Sequence, residues 1–135
     1  MTGLRDWKLG AAGALALLTV AAAPPVKPKA LAAASPGVWE ITGQPGARGA
    51  QRMCVRDLAT LAQIEQRRAQ CTRVVIRDQP TSTEIHYTCT GGGFGQTTIE
   101  LITPRSLRIE TQGIEAGAPF HYVAQARRTG DCPVH

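Results

Sequence analysis

Aromatic side chains are scarce in this chain, with two tryptophans, two tyrosines and two phenylalanines among 135 residues. The length suits one domain, and so few rings leave its core thin and its stability marginal without cross-links. Lysine is absent after Lys29, and only three histidines are present. No two cysteines stand closer than the 17 positions from Cys54 to Cys71, which excludes the C-x-x-C spacing that redox catalysis favours. A long apolar run is also missing. The longest, Leu9–Ala23, is about 15 residues, short of the roughly 20 that a membrane span requires.

That run fits the apolar centre of a secretory signal peptide, with Arg5 and Lys8 as its charged start. Small-x-small patterns place cleavage after residue 22, in Val20-Ala21-Ala22, or after residue 32, in Ala30-Leu31-Ala32. An uncleaved membrane anchor is the alternative. Residues 1–32 are read as leader and Pro/Ala-rich linker, with Pro24, Pro25, Pro28 and Pro36 predicting an extended spacer over 24–36. Residues 37–135 form the single domain.

Removing the leader changes the charge. The whole chain has 15 Lys and Arg against 10 Asp and Glu, a net +5. Past residue 32 the balance falls to 11 arginines against nine acids. A nucleic-acid partner, which needs a dense basic stripe, is therefore not expected. Membrane contact is expected only through the leader before cleavage.

Within the domain, most segments alternate with period two. Trp39 and Ile41 oppose Val38 and Glu40, while Ile85, Tyr87 and Cys89 oppose Glu84, His86 and Thr88. Further strands are predicted at 51–55, around Val74–Ile76, at Thr97–Thr103, at Ser106–Thr111 and from Phe120 to Ala126, with turns at Pro45-Gly46, Pro80-Ser82, Pro104-Arg105 and Gly117-Pro119. One helix is predicted over Asp57–Arg68, with Asp57 as its N-cap and Leu58, Leu61 and Ala62 facing inward. The fold class is α+β: a curved antiparallel sheet of about six strands, one short helix and disulfide staples.

An export leader with four cysteines, Cys54, Cys71, Cys89 and Cys132, predicts two structural disulfides in an oxidising compartment. Three pairings are open. Cys54 and Cys71 flank the helix, and Cys89 and Cys132 lie at strand ends, so Cys54–Cys71 with Cys89–Cys132 is the favoured pair. The glycine-rich Gly91–Gly95 lies between two strands rather than before a helix, so it reads as a hairpin loop, not a phosphate cradle. His86 and His121 fall on polar faces and could share a metal only if their strands are neighbours; no fixed ligand spacing supports that. Arg73, Arg77, Arg108, Arg127 and Arg128 are expected on the wet face opposite Glu84, Glu100 and Glu110, with Arg73 and Arg77 as a candidate partner face.

The order of landmarks resembles a family of small exported Gram-negative bacterial proteins classed as a domain of unknown function. The resemblance rests on Gly37-Val38-Trp39-Glu40 at the domain start, Cys54-Val55 before the helix, Cys71 and Cys89, and the ending Arg127-Arg128-Thr129-Gly130-Asp131-Cys132. Two departures are visible. Arg56 stands where the family often has Ser or Thr, and the stretch between Trp39 and Cys54 is compact. The resemblance implies export and disulfides, but it transfers no activity and no catalytic residue.

The expected function is a non-enzymatic module, periplasmic or secreted, that binds a small ligand between helix and sheet or an envelope protein on the arginine face. The alternative is an inhibitor or accessory protein of an envelope enzyme. No cofactor, metal or catalytic residue is assigned.

Overall fold

A computed structural model of the chain describes residues 27–134 continuously, preceded by 13–21 and the single positions 3 and 10. Arg5 and Lys8, the cleavage position after residue 22 and His135 lie outside the described residues. Residues 13–21 form no helix or strand, and Leu15, Leu17, Leu18 and Val20 are exposed. Among the described residues, no helix is long and apolar enough to cross a membrane.

The elements run α1 (Lys29–Ala32), β1 (Gly37–Thr42), β2 (Gln51–Val55), a 3₁₀ helix (Leu58–Gln66), β3 (Cys71–Asp78), β4 (Ser82–Cys89), β5 (Phe94–Thr103), β6 (Ser106–Glu115) and β7 (Ala118–Gly130). The strands form one seven-stranded sheet in the order β2-β1-β7-β6-β5-β4-β3. Every pairing is antiparallel. Seven strands roughly fit the expected sheet of about six, and β5, β6 and β7 extend beyond their predicted ends.

Alternation decides which face is wet. Ile85, Ile99, Leu107, Ile109, Tyr122, Ala124 and Trp39 bury one face, and both helical segments lie in that core. Their neighbours in sequence, among them Glu84, Arg108 and Gln125, stand on the outer face. Arg108 there lies 3.4 Å from Glu100 and 3.2 Å from Glu110.

The predicted helix exists, but it is 3₁₀ rather than α, with non-helical angles at Gln63. Its cap is as expected: the Ala59 N–H donates to Asp57 Oδ1 over 3.0 Å. A 3₁₀ helix rises about 2.0 Å per residue against about 1.5 Å in an α-helix. That extra reach suits its task, because the segment leaves β2 at one edge of the sheet and delivers the chain to β3 at the other.

The same crossing corrects the disulfide expectation. Cys54 bonds Cys132, and Cys71 bonds Cys89; Cys54–Cys71 and Cys89–Cys132 do not form. Cys54 and Cys71 flank the helix in sequence but sit on opposite edge strands of the sheet, with five strands between them. A disulfide needs Cα atoms within about 7 Å. Cys71 instead stands directly opposite Cys89. Cys54 stands opposite Val38, which in turn faces Gly130, so its bridge passes over β1 to the chain just beyond β7. Each edge strand is thereby pinned by one bridge.

The linker expectation is corrected over residues 27–36, while Pro24 and Pro25 lie outside the described residues. Residues 29–32 are helical, and Pro28, Ala30, Leu31 and Ala34 are buried. Lys29 N–H donates to Asp78 Oδ1 over 2.8 Å, and Ser35 N–H to Pro104 O over 3.2 Å. This segment therefore closes the core at the end of the sheet holding the β3–β4 and β5–β6 turns. Alanine-rich sequence read as a spacer because its burial depends on a distant sheet surface.

Candidate functional site

At the opposite end of the sheet, the end of the 3₁₀ helix meets the β4–β5 loop and the β6–β7 turn. A cleft of about 610 Å³ opens there. Gln66 forms its floor. The amide is 6 % exposed, and its Nε2 donates to Ile114 O over 2.8 Å. Its Oε1 lies 2.9 Å from the Cys89 sulfur; that sulfur is oxidised and carries no proton, so this is a close S···O contact rather than a hydrogen bond. A Cβ on Gly93 would overlap the Gln66 amide, which explains a glycine at that place in the loop. The β6–β7 turn uses Ala116 at φ 50° and Gly117 at φ 78°, the left-handed pair that a two-residue hairpin demands.

The walls carry charge of both signs. Glu65 and Glu115 stand on one side, Arg67 and Arg68 on another. Tyr122 donates its hydroxyl to Glu65 Oε2 over 2.8 Å, and burial, reinforced by that carboxylate, raises its pKa well above the ordinary phenol range. Behind the floor the core turns polar. Thr97 donates to Ala62 O over 2.5 Å and shares a 2.7 Å hydrogen bond with Thr111.

Tyr87 lies two positions before Cys89 on the same face of β4. It is 2 % exposed, and its hydroxyl has no hydrogen-bond partner among the described residues. Burial pushes its phenol up to about 12, the nearby Glu65 and Glu115 add to the rise, and the Thr111 hydroxyl tempers it. Thr111 lies near enough to temper that rise but makes no hydrogen bond to the Tyr87 hydroxyl. The ring lies over Gly95, where a Cβ would collide with it.

The predicted partner face does not form as expected. A bulge between Val75 and Arg77 shifts the register, so Arg73 stands opposite Tyr87 on the inner face and Arg77 opposite Glu84 on the outer one. Arg73 is engaged with the helix, 2.7 Å from Gln63 Oε1 and 3.4 Å from Asp57 Oδ2. Arg128 also belongs to the inner face, where it holds Pro36 O and Asp131. Only Arg77, Arg108 and Arg127 of the expected five stand outside.

His86 and His121 lie on β4 and β7 with β5 and β6 between them, so they are too far apart to share one ion. Among the described residues, no group of three or more His, Cys, Asp or Glu gathers as a metal site. The cleft residues Gln66 and Glu115 were not singled out by sequence; only the glycine run Gly91–Gly95, which includes Gly93, signalled anything there.

A family model described as "Protein of unknown function (DUF3617)" matches residues 34–132, and the chain belongs to that family. No curated protein and no solved structure matches.

Proposed function

We propose that this member of the DUF3617 family is a non-enzymatic periplasmic binding module, and that a small amine-bearing polar molecule enters the cleft between the 3₁₀ helix and the sheet. The observation that carries the reading is a cleft of about 610 Å³ walled by Glu65, Glu115, Arg67 and Arg68, with the buried, unpartnered Tyr87 hydroxyl near its two acids. Leaving such a group unsatisfied costs about 1–3 kcal/mol, a cost that a binding site retains and a purely structural core does not need. Glu65 and Glu115 supply the anionic wall for an amine, and Arg67 and Arg68 the cationic rim for an acceptor. Both disulfides and the leader support an oxidising compartment outside the cytosol. The binding class rests on the two acids and two arginines of the cleft, whose one cysteine is held in a disulfide.

Native mass spectrometry of the protein purified from the periplasm tests this reading. A small adduct is expected on the wild type and its loss in Glu115→Ala and Tyr87→Phe. A bare wild-type chain, or an adduct kept by both variants, counts against it.

A second reading, an inhibitor or accessory protein of an envelope enzyme, draws on the β3 edge, where Val74, Val75 and Ile76 are exposed. A partner strand could add to such an edge. Ile76→Lys would then abolish copurification of the enzyme while leaving any cleft adduct in place; an enzyme retained by that variant would dismiss this reading.

A further inference from the structure

The outer face of the sheet is divided by charge. Over most of it, acids and arginines alternate, as in Glu100–Arg108 and Glu40–Arg52. At the end shared with the cleft, the pattern stops. His86 faces Gln96, Gln96 faces Gln112, and Gln112 faces His121, so four neighbouring strands present one continuous uncharged row. Beside it Phe94 stands opposite Ile114. These residues line a groove of about 610 Å³ that no Asp, Glu, Lys or Arg of the described residues enters. Phe94 is 51 % exposed there.

The row is held in place from one side. Gln96 Nε2 donates to Glu84 Oε1 over 2.8 Å, which leaves the Gln96 carbonyl oxygen open. His86 Nε2 lies 3.1 Å from the same oxygen, and His121 Nε2 lies 3.3 Å from Glu110 Oε1. A carboxylate only accepts, so each ring donates from Nε2, and in its neutral form its Nδ1 is an acceptor. Gln112 is exposed, and its amide makes no hydrogen bond among the described residues. The groove therefore offers a series of acceptors at strand spacing, about 4.8 Å, next to an exposed aromatic ring. Beneath it, Gly95 and Gly113 face each other so closely that a Cβ on Gly113 would overlap the Phe94 carbonyl.

We infer that this groove binds a neutral oligosaccharide. A pyranose chain carries hydroxyl donors at regular intervals and a C–H face that packs on an aromatic ring. It has no charge, and no Asp, Glu, Lys or Arg of the described residues lines the groove, the carboxylates of Glu84 and Glu110 at its side being taken up by Gln96, His86 and His121. The ligand would cross the strands, with its hydroxyls on the His86–His121 row and its C–H face on Phe94. This site is on the opposite face of the sheet from the cleft and does not depend on what the cleft binds.

An amide-resolved NMR titration of the oxidised protein tests the inference, using cellotriose, maltotriose and tri-N-acetylchitotriose as probes and trigalacturonate as the anionic control. At least one neutral sugar is expected to shift the side-chain amides of Gln96 and Gln112 and the backbone of Phe94, with the control silent. Phe94→Ala and Gln112→Ala, both at exposed positions, should each weaken that binding by about tenfold. The inference falls if no neutral sugar shifts these signals at millimolar concentration, or if trigalacturonate shifts them equally. It also falls if the shifts appear instead at Gln66 and Gly93.

Discussion

Arg73 reaches from the edge strand β3 to the middle of the 3₁₀ helix, where its Nη1 donates to Gln63 Oε1 over 2.7 Å. The other end of that buried amide lies 3.3 Å from Gln66 O and 3.1 Å from Ala69 O, to which it donates. Arg73 also approaches Asp57, the residue that caps the same helix. One guanidinium thus fixes the helix at its start, at its kink and, through Gln63, at its end. Arg73→Ala leaves Gln63 Oε1 unpaired and is expected to lower the unfolding free energy by about 1–3 kcal/mol. Arg77→Ala, on the other face, should stay within about 0.5 kcal/mol of wild type. Urea denaturation of both variants checks the contrast, and equal losses would contradict it.

Leu31 is fully buried in the core, although its segment reads as a spacer. Leu31→Ala is expected to cost about 2–5 kcal/mol, the range for a large-to-small change in a packed core. A chain beginning at Ala33 should melt well below one beginning at Lys27. Matching melting curves for the two chains would show that α1 adds nothing to the domain.

The two bridges close loops of different length, 78 and 18 positions. Chain-entropy arithmetic assigns about 4.5 kcal/mol to Cys54–Cys132 and about 3 kcal/mol to Cys71–Cys89, if the unfolded chain is random. Replacing each pair by alanine should reproduce that order in chemical denaturation. Proteolytic mapping without reduction should recover peptides joining Cys54 to Cys132 and Cys71 to Cys89, and a Cys54–Cys71 peptide would overturn the topology given above.

The chain has two tyrosines, and both are buried with raised pKa values. Burial disfavours the phenolate, so the folded protein keeps protons that the unfolded chain releases near the ordinary phenol value of about 10. Stability from this source is whole below pH about 10 and falls as pH rises toward the folded value, about 12 for Tyr87. Absorbance of tyrosinate should therefore remain low through pH 11 and rise together with unfolding. A smooth reversible rise centred at pH 10 in folded protein would show that the rings are solvated.

Much of the sheet was legible because alternation is local. Trp39 with Ile41 and Ile85 with Tyr87 fall inside as their spacing requires, and Asp57 caps the helix as its side chain allows. Non-local features were not legible. The bulge beside Ile76 separates Arg73 from Arg77, yet nothing in Arg73-Val74-Val75-Ile76-Arg77 marks it. The cysteine pairing depends on which strands form the edges, and the order of strands is set by contacts far apart in sequence. Gly93 reads as loop flexibility, whereas the Gln66 amide lying across it is visible only in three dimensions. The same holds for the cleft, whose floor and walls come from the 3₁₀ helix, β4, and the two loops that close that end.

Because Cys54 is bonded to Cys132, the chain between them is a closed covalent ring. A pulling force applied at the two ends of the molecule would pass through that bond and bypass β3, β4, β5, β6 and β7 entirely. Only the residues ahead of Cys54, with α1, β1 and most of β2, could be drawn out. While the bridge is intact, the cleft and the outer groove therefore sit in a part of the protein that tension along the chain cannot reach.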